Sequence, residues 1–270
     1  MANRQVLAGG ALVLLLIAAM VAVPALDPWT PDQMSVGDAL APPDAVHPMG
    51  TDQFGRDILS RIASGGVISL SVALMVTGCA MTAGVLIGGM AGFLGGWIDV
   101  VLMRSMDALL AFPGILLALA LVAALSPGLF SVVLALSVVA VPRFARVVRG
   151  AVLRRKAYDY VTAAVAIGAS PARVMFRTVL PNCIGPIVVQ ATLTLPGAIL
   201  GEAGLSFLGL GTPPPTPSWG RMLFEARGTM EIAPDSAIFV GLVVSLTVLA
   251  FNFLGDGLRD VLDPRQTRST

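Results

Sequence analysis

The chain alternates between long apolar runs and shorter polar intervals, and this rhythm predicts its elements. Apolar residues dominate positions 6–26, 67–92, 100–125, 129–148, 184–200 and 237–253. A helix rises about 1.5 Å per residue, so runs of about 17 to 26 residues cross a hydrocarbon layer about 30 Å thick. The expected fold is an all-α membrane protein, a single transmembrane domain over residues 1–270 with about six spans. The first run, of about 21 residues, exceeds the roughly 7–15 of a signal-peptide core and reads as an uncleaved span with the N-terminus inside. Gly84, Gly88 and Gly92 recur every fourth residue, a spacing that lets another helix backbone approach closely. The run 100–125 holds Arg104 and Asp107, three apart on one face, which read either as an internal pair or as functional intramembrane charges. Pro113 predicts a kink there.

The polar intervals differ in kind. Residues 27–66 and 201–236 read as outer loops. The first carries Asp27, Asp32, Asp38 and Asp44 among prolines and shows no helical period. Thr51 is expected to cap a short helix ending near Gly65 and Gly66. Arg56 and Asp57 fit local ion pairs that hold the loop. In the second loop, glycines followed by prolines stop a regular helix, and Trp219 suits a membrane-interface belt. The charges Asp256, Arg259, Asp260 and Asp263 after the last run read as a solvated helix.

The interval 154–182 is different again. Tyr158, Val161, Val165 and Gly168 recur at helical spacing, and Gly168 permits a turn. Ser170 followed by Pro171 reads as an N-cap and first helical position, and Pro181 is expected to close the unit. The expected product is two short helices joined at a glycine. On these residues alone it is a docking loop for a partner or an amphipathic hairpin on the membrane surface. A helix-turn-helix for DNA fits worse, because its flanks would have to leave the membrane.

Composition agrees with the pattern. Hydrophobic residues make up 56% and charged residues 12%, and the mean hydropathy is +0.86. A soluble domain would carry about twice that share of charge. The net charge of +1 matters less than where the charges fall. Arg143, Arg146, Arg149, Arg154, Arg155, Lys156, Arg173 and Arg177 gather around the short-helix interval, which the positive-inside rule puts in the cytoplasm. Arg4, Arg259, Arg265 and Arg268 then fall inside as well, with both termini cytoplasmic. The aspartates of the first loop and the stretch 225–235 fall outside. Cys79 and Cys183 read as packing residues, and a single histidine, His47, offers no metal-site spacing. No glycine-rich loop ends in Lys-Ser or Lys-Thr, so ATP must be handled by another chain. No nucleophile–base constellation points to catalysis, which argues against an intramembrane hydrolase.

Ala163, Ala164, Gly168, Leu180 and Pro181 stand at the spacing of the coupling loop of ABC importer permeases, which this interval resembles. Thr162 stands where that family usually has Glu, and Thr178 where it usually has an apolar residue or His. Further blocks resemble the dipeptide/oligopeptide/nickel permeases, and specifically the second, C-type subunit of such a pair. They are His47, Gly50-Thr51-Asp52, Gly55-Arg56-Asp57 and Ser60-Arg61, then Arg104, Asp107 and Phe112-Pro113. Glu202 to Gly211, Pro217 to Gly220, and Gly255 to Pro264 continue the match. Val67 departs, since many relatives have Arg there.

The resemblance implies a type I ABC importer permease in a bacterial or archaeal inner membrane. It implies pairing with a homologous permease, two ATP-binding subunits that hold ATP and Mg, and an extracytoplasmic substrate-binding protein. Nucleic acid has no place in it. Transport would run by alternating access, with di- or oligopeptides as cargo and nickel or another small solute as the alternative. Candidate pathway or gate residues are Asp107, Phe112, Pro113, Glu202 and Ser206. Glu202 fits either an acceptor of hydrogen bonds from loop N–H groups or an acid that attracts a peptide amino terminus. A channel or scaffold needing no ATPase is the rival class, and it would have no use for the loop at 154–182.

Overall fold

The computed structural model describes residues 2–262. Asp263, Pro264, Arg265 and Arg268, expected in the tail, lie outside the described residues. Helices account for nearly all regular structure, and the described residues contain one isolated bridge, between Thr51 and Asp57. The order is α1 (Ala2–Leu26), α2 (Ile58–Leu94), α3 (Gly96–Leu110), α4 (Gly114–Leu125), α5 (Leu129–Lys156), α6 (Asp159–Ala166), α7 (Pro171–Arg173), α8 (Ile184–Phe207), α9 (Trp219–Ala226) and α10 (Asp235–Leu262). Five helical stretches are long and apolar enough to cross a membrane, and the bent pair α3–α4 makes a sixth crossing if counted as one.

Helix α2 starts at Ile58, ahead of the apolar run that begins at 67, because Asp57 caps it by accepting the Ser60 N–H at 2.8 Å. Thr51 is not the cap, and no short helix ends at Gly65–Gly66. The helix runs straight through both, since the lack of side chains there lets Ser218, Trp219 and Met20 press against it. Trp219 is correspondingly buried, its indole N–H donating to the Ile62 carbonyl at 3.0 Å. It is a packing anchor rather than an interface residue.

Lower down, α2 lies against α5. A Cβ placed on Gly84, Gly88 or Gly92 would meet Phe144 or Ala145, the Ala145 carbonyl, and Val152 with the Arg149 carbonyl, respectively. The four-residue glycine spacing is thus a backbone contact surface.

The run 100–125 is not one kinked span. Helices α3 and α4 meet at 92° across Ala111–Pro113. Proline ends hydrogen bonding at the break, and Gly114 restarts the helix against Val139 of α5. Asp107 does not pair with Arg104. It takes Arg146 of α5 at 2.7 Å, and Asp99 takes Arg149 at 2.5 and 2.6 Å.

Beyond this same C-terminal end of α5, α6 and α7 form the expected helix pair. Gly168 turns with φ +83°, and Ser170 accepts the Arg173 N–H at 3.4 Å, with Pro171 at the first position. Pro181 does not close this unit. A π-helical turn (Val174–Val179) and a tight 3-10 turn (Leu180–Cys183) carry the chain into α8. The missing proline N–H is absorbed by that change of helical pitch. Cys183 is buried there, whereas Cys79 is exposed on the outside of the bundle, so only one cysteine packs internally.

Two of the three apolar cores among the described residues seat these parts. The larger gathers Ile58, Val72, Val76, Val122, Val132, Ile199, Leu205 and Trp219. The smaller gathers Val148, Val152, Val161, Val174, Val179 and Cys183 and seats the short-helix pair.

Candidate functional site

The short-helix end presents a surface rather than a cleft. Val161 anchors α6 in the smaller core, and Ala164 and Leu180 pack against it. Ala163, Gly168 and Pro181 face outward, and a Cβ on Gly168 would meet nothing within 4 Å. Around them stand Tyr158, Val165, Phe176 and Ile167, the last 86% exposed. Tyr158 and Tyr160 stack at 6.0 Å, with the Arg155 guanidinium 5.5 Å from the Tyr158 ring. Lys156 donates to the Phe93 carbonyl at 2.6 Å, tying this surface to the end of α2. Apolar side chains held outward on a fixed base suit contact with a partner or with a membrane surface.

The opposite end is built around charge. Asp52 accepts the Arg56 N–H at 3.0 Å and its Nε at 2.6 Å. Arg56 reaches Glu225 of α9 at 2.7 Å, Arg61 reaches the same oxygen at 3.1 Å, and Arg221 binds the other oxygen at 2.9 Å. Arg61 also donates to the Pro31 carbonyl at 2.8 Å. The loop is therefore wrapped over α9 by two carboxylates and three guanidiniums. Gly50 and Gly55 turn with positive φ, each where a side chain would strike a carbonyl, of Ala41 and Gly37 respectively. Thr51 bonds Asp38 and Ala41, and Asp57 accepts His47 Nδ1 at 2.9 Å. Outside the charged network, the N–H groups of His47 and Val46 hold the Asp44 carboxyl below the usual carboxylate range. Glu225, Arg61 and Arg221 complete the network. The sequence shows Arg221 and Glu225 four residues apart, which suggests a local pair, but nothing in it links them to Arg56, 169 residues distant.

Between the ends, Glu202 sits in α8 only 1% exposed. Its carboxylate accepts from Ser69 at 2.9 Å and Ser206 at 2.7 Å, and Ser69 in turn accepts the Trp219 N–H at 3.2 Å. Two hydroxyls, rather than loop N–H groups, satisfy the acid. Removing it leaves both without their acceptor. Glu202→Ala is expected to lower stability by about 1–3 kcal/mol, and Glu202→Gln by less, since the amide keeps an acceptor. Thermal unfolding in detergent distinguishes them, and equal melting of both variants and wild type would discard this role. Phe112, 60% exposed, and Pro113 stand at the α3–α4 break, which follows the helix carrying the half-exposed Asp107 of the Asp107–Arg146 pair.

The described residues thus form a bundle of membrane-length helices with an exposed apolar surface at one end and a charged clamp at the other. The chain belongs to the family described as binding-protein-dependent transport system inner membrane component, which matches residues 84–268. It is 46% identical over 259 residues to the glutathione transport system permease protein GsiD of Pectobacterium atrosepticum, covering 96% of this chain and 86% of that one. It is 43% identical to the di/tripeptide transport system permease protein DppC of Pseudomonas aeruginosa, covering 97% and 89%. Among solved structures, the MetNI methionine ABC transporter in inward-facing conformations aligns with a TM-score of 0.62 at 19% identity, over 75% of this chain and 96% of that one. At that identity the likeness speaks for the fold. The chain is a multi-pass permease subunit of an ABC importer.

Proposed function

We propose that this permease carries di- or oligopeptides inward across the inner membrane, in partnership with a homologous permease, two ATP-binding subunits and an extracytoplasmic binding protein. The observation that carries the reading is the short-helix surface: Ile167, Val165 and Phe176 are held outward on a base locked to α2 and α5. A free-standing channel has no use for such a surface. The basic residues beside it support a cytoplasmic position, with both termini on that side and the charged clamp outside. ATP bound and hydrolysed on the partner subunits would drive alternating access by preferring one arrangement of the docked loops. The glutathione and di/tripeptide relatives support peptide over nickel as cargo.

The loop is tested by Ile167→Asp. A buried, unpaired carboxylate at the docking surface is expected to cut ATP-driven peptide uptake by the assembled complex at least about tenfold, equivalent to about 1.4 kcal/mol of coupling. Permease abundance in the membrane should stay level, because Ile167 touches no core. Unchanged uptake would remove the loop from the coupling path. Co-purification of a second permease and ATPase subunits with the tagged chain tests the assembly itself, and recovery of the chain alone would favour a channel.

A further inference from the structure

Helix α5 carries an arginine with no counter-charge at membrane depth. Arg143 lies fourteen residues from Leu129, the start of the helix, which is about 21 Å along a hydrocarbon layer about 30 Å thick. It is exposed, and among the described residues its guanidinium has no ion pair, hydrogen bond or ring contact.

Its position follows from its neighbours. Val139, Arg143, Arg146 and Gly150 recur at intervals of four, three and four, so they share one face of α5. Val139 meets Gly114 at the start of α4, and Arg146 meets Asp107 near the end of α3. Arg143 lies between them and therefore stands level with the break, where Ala111, Phe112 and Pro113 are all exposed. The Asp107–Arg146 pair beside it is about half exposed on both sides, at 45% and 54%. Arg104, Asp107, Arg143 and Arg146 together make a face that lipid tails would not solvate. The face is wet. Asp107 is already neutralised by Arg146, and Arg104 lies a further turn toward Gly96, at the short-helix end. Arg143 is the uncommitted cation at the break.

We propose that Arg143 is a carboxylate-binding residue of the translocation pathway, which holds the C-terminal carboxylate of the passing peptide. This rests on the peptide-import reading above. A guanidinium presents paired N–H donors that fit a carboxylate in two-point fashion. Every linear peptide carries that group whatever its side chains, so one contact serves many sequences. Phe112 at the same level offers an apolar surface for the peptide body.

The test uses the complete importer, reconstituted with its ATP-binding subunits and binding protein. Uptake of a labelled dipeptide as free acid and as C-terminal amide is measured with the binding protein saturated by each. Arg143→Gln is expected to lower uptake of the acid at least about tenfold, with uptake of the amide unchanged and Arg143→Lys recovering part of the loss. Equal loss of both peptides would overturn the assignment, since it would mark Arg143 as a fastening to the partner permease or to the fold. No loss of the acid would overturn it as well.

A second measurement covers the case in which wild type rejects the amide. In a chain with Cys79→Ala, Cys183→Ala and Arg143→Cys, a cationic thiol reagent should restore uptake of the acid and an anionic one should not. A thiol reached by neither reagent, or equal effects of both, overturns the proposal. A wild-type importer that carries neither peptide overturns the cargo reading instead.

Discussion

Glu225→Ala is expected to lower the stability of the permease by about 3–5 kcal/mol, the range for removing one partner from a buried ion network. Glu225 accepts from Arg56 and Arg61 through one oxygen and from Arg221 through the other. The Arg56 and Arg61 side chains are 4% and 1% exposed. With Glu225 gone, Asp52 alone faces both guanidiniums, at 2.6 Å from Arg56 and 3.5 Å from Arg61. The damage comes from the stranded cations rather than from the attraction lost. Glu225→Gln should therefore fall between, keeping acceptors without the charge. Thermal unfolding in detergent and proteolysis of the loop 27–57 read the effect. An Ala variant that melts with wild type and keeps its loop protected would show that the network is solvated in the assembled importer.

Gly88→Leu should be at least as harmful, at more than about 3 kcal/mol, because overpacking here meets backbone. A Cβ on Gly88 would stand 2.2 Å from the Ala145 carbonyl oxygen and 3.0 Å from the Ala145 Cα. No rotamer relieves a clash with a carbonyl, so α2 and α5 must separate along the surface shared by Gly84, Gly88 and Gly92. The control lies on the same helix. Gly78 has nothing within 4 Å of such a Cβ, and Gly78→Leu should change stability by no more than about 0.5 kcal/mol. Yield of monodisperse protein and melting temperature report both. Similar losses for the two variants would strip close packing of its explanatory role, since leucine has the higher helix propensity at both positions.

Local pattern made much of this molecule legible. The glycine spacing announced a close helix contact because period alone puts those residues on one stripe, and Phe144, Ala145, Arg149 and Val152 are what the stripe meets. Gly168, Ser170 and Pro171 marked a turn and a cap through conformational preferences that neighbours hardly alter. Where local rules misled, long-range packing had overridden them. Gly65 and Gly66 looked like a helix end, yet Trp219 needs their missing side chains to lie against α2. Trp219 looked like an interface residue for the same reason, since its partner Ile62 is 157 positions away. Pro181 looked like a stop, and a π turn followed by a 3-10 turn absorbed it.

The charges divide in the same way. Arg104 and Asp107 are neighbours on one helix and invite pairing, but α5 places Arg146 2.7 Å from Asp107. Glu202 was visible as an acid in apolar surroundings, while Ser69, which satisfies it together with Ser206, lies 133 residues earlier.

The sequence by itself determined the class of this protein: its helices, its membrane, and the glycine-hinged loop that resembles a coupling surface. These follow from composition, period and backbone preference, which act within a few residues. Only the tertiary structure decided which charges meet, that α3 and α4 break at 92° rather than kink, and that Arg143 stands uncompensated beside the break. Those outcomes depend on which helix faces arrive at the same place, and a face has no partner until the whole bundle has packed.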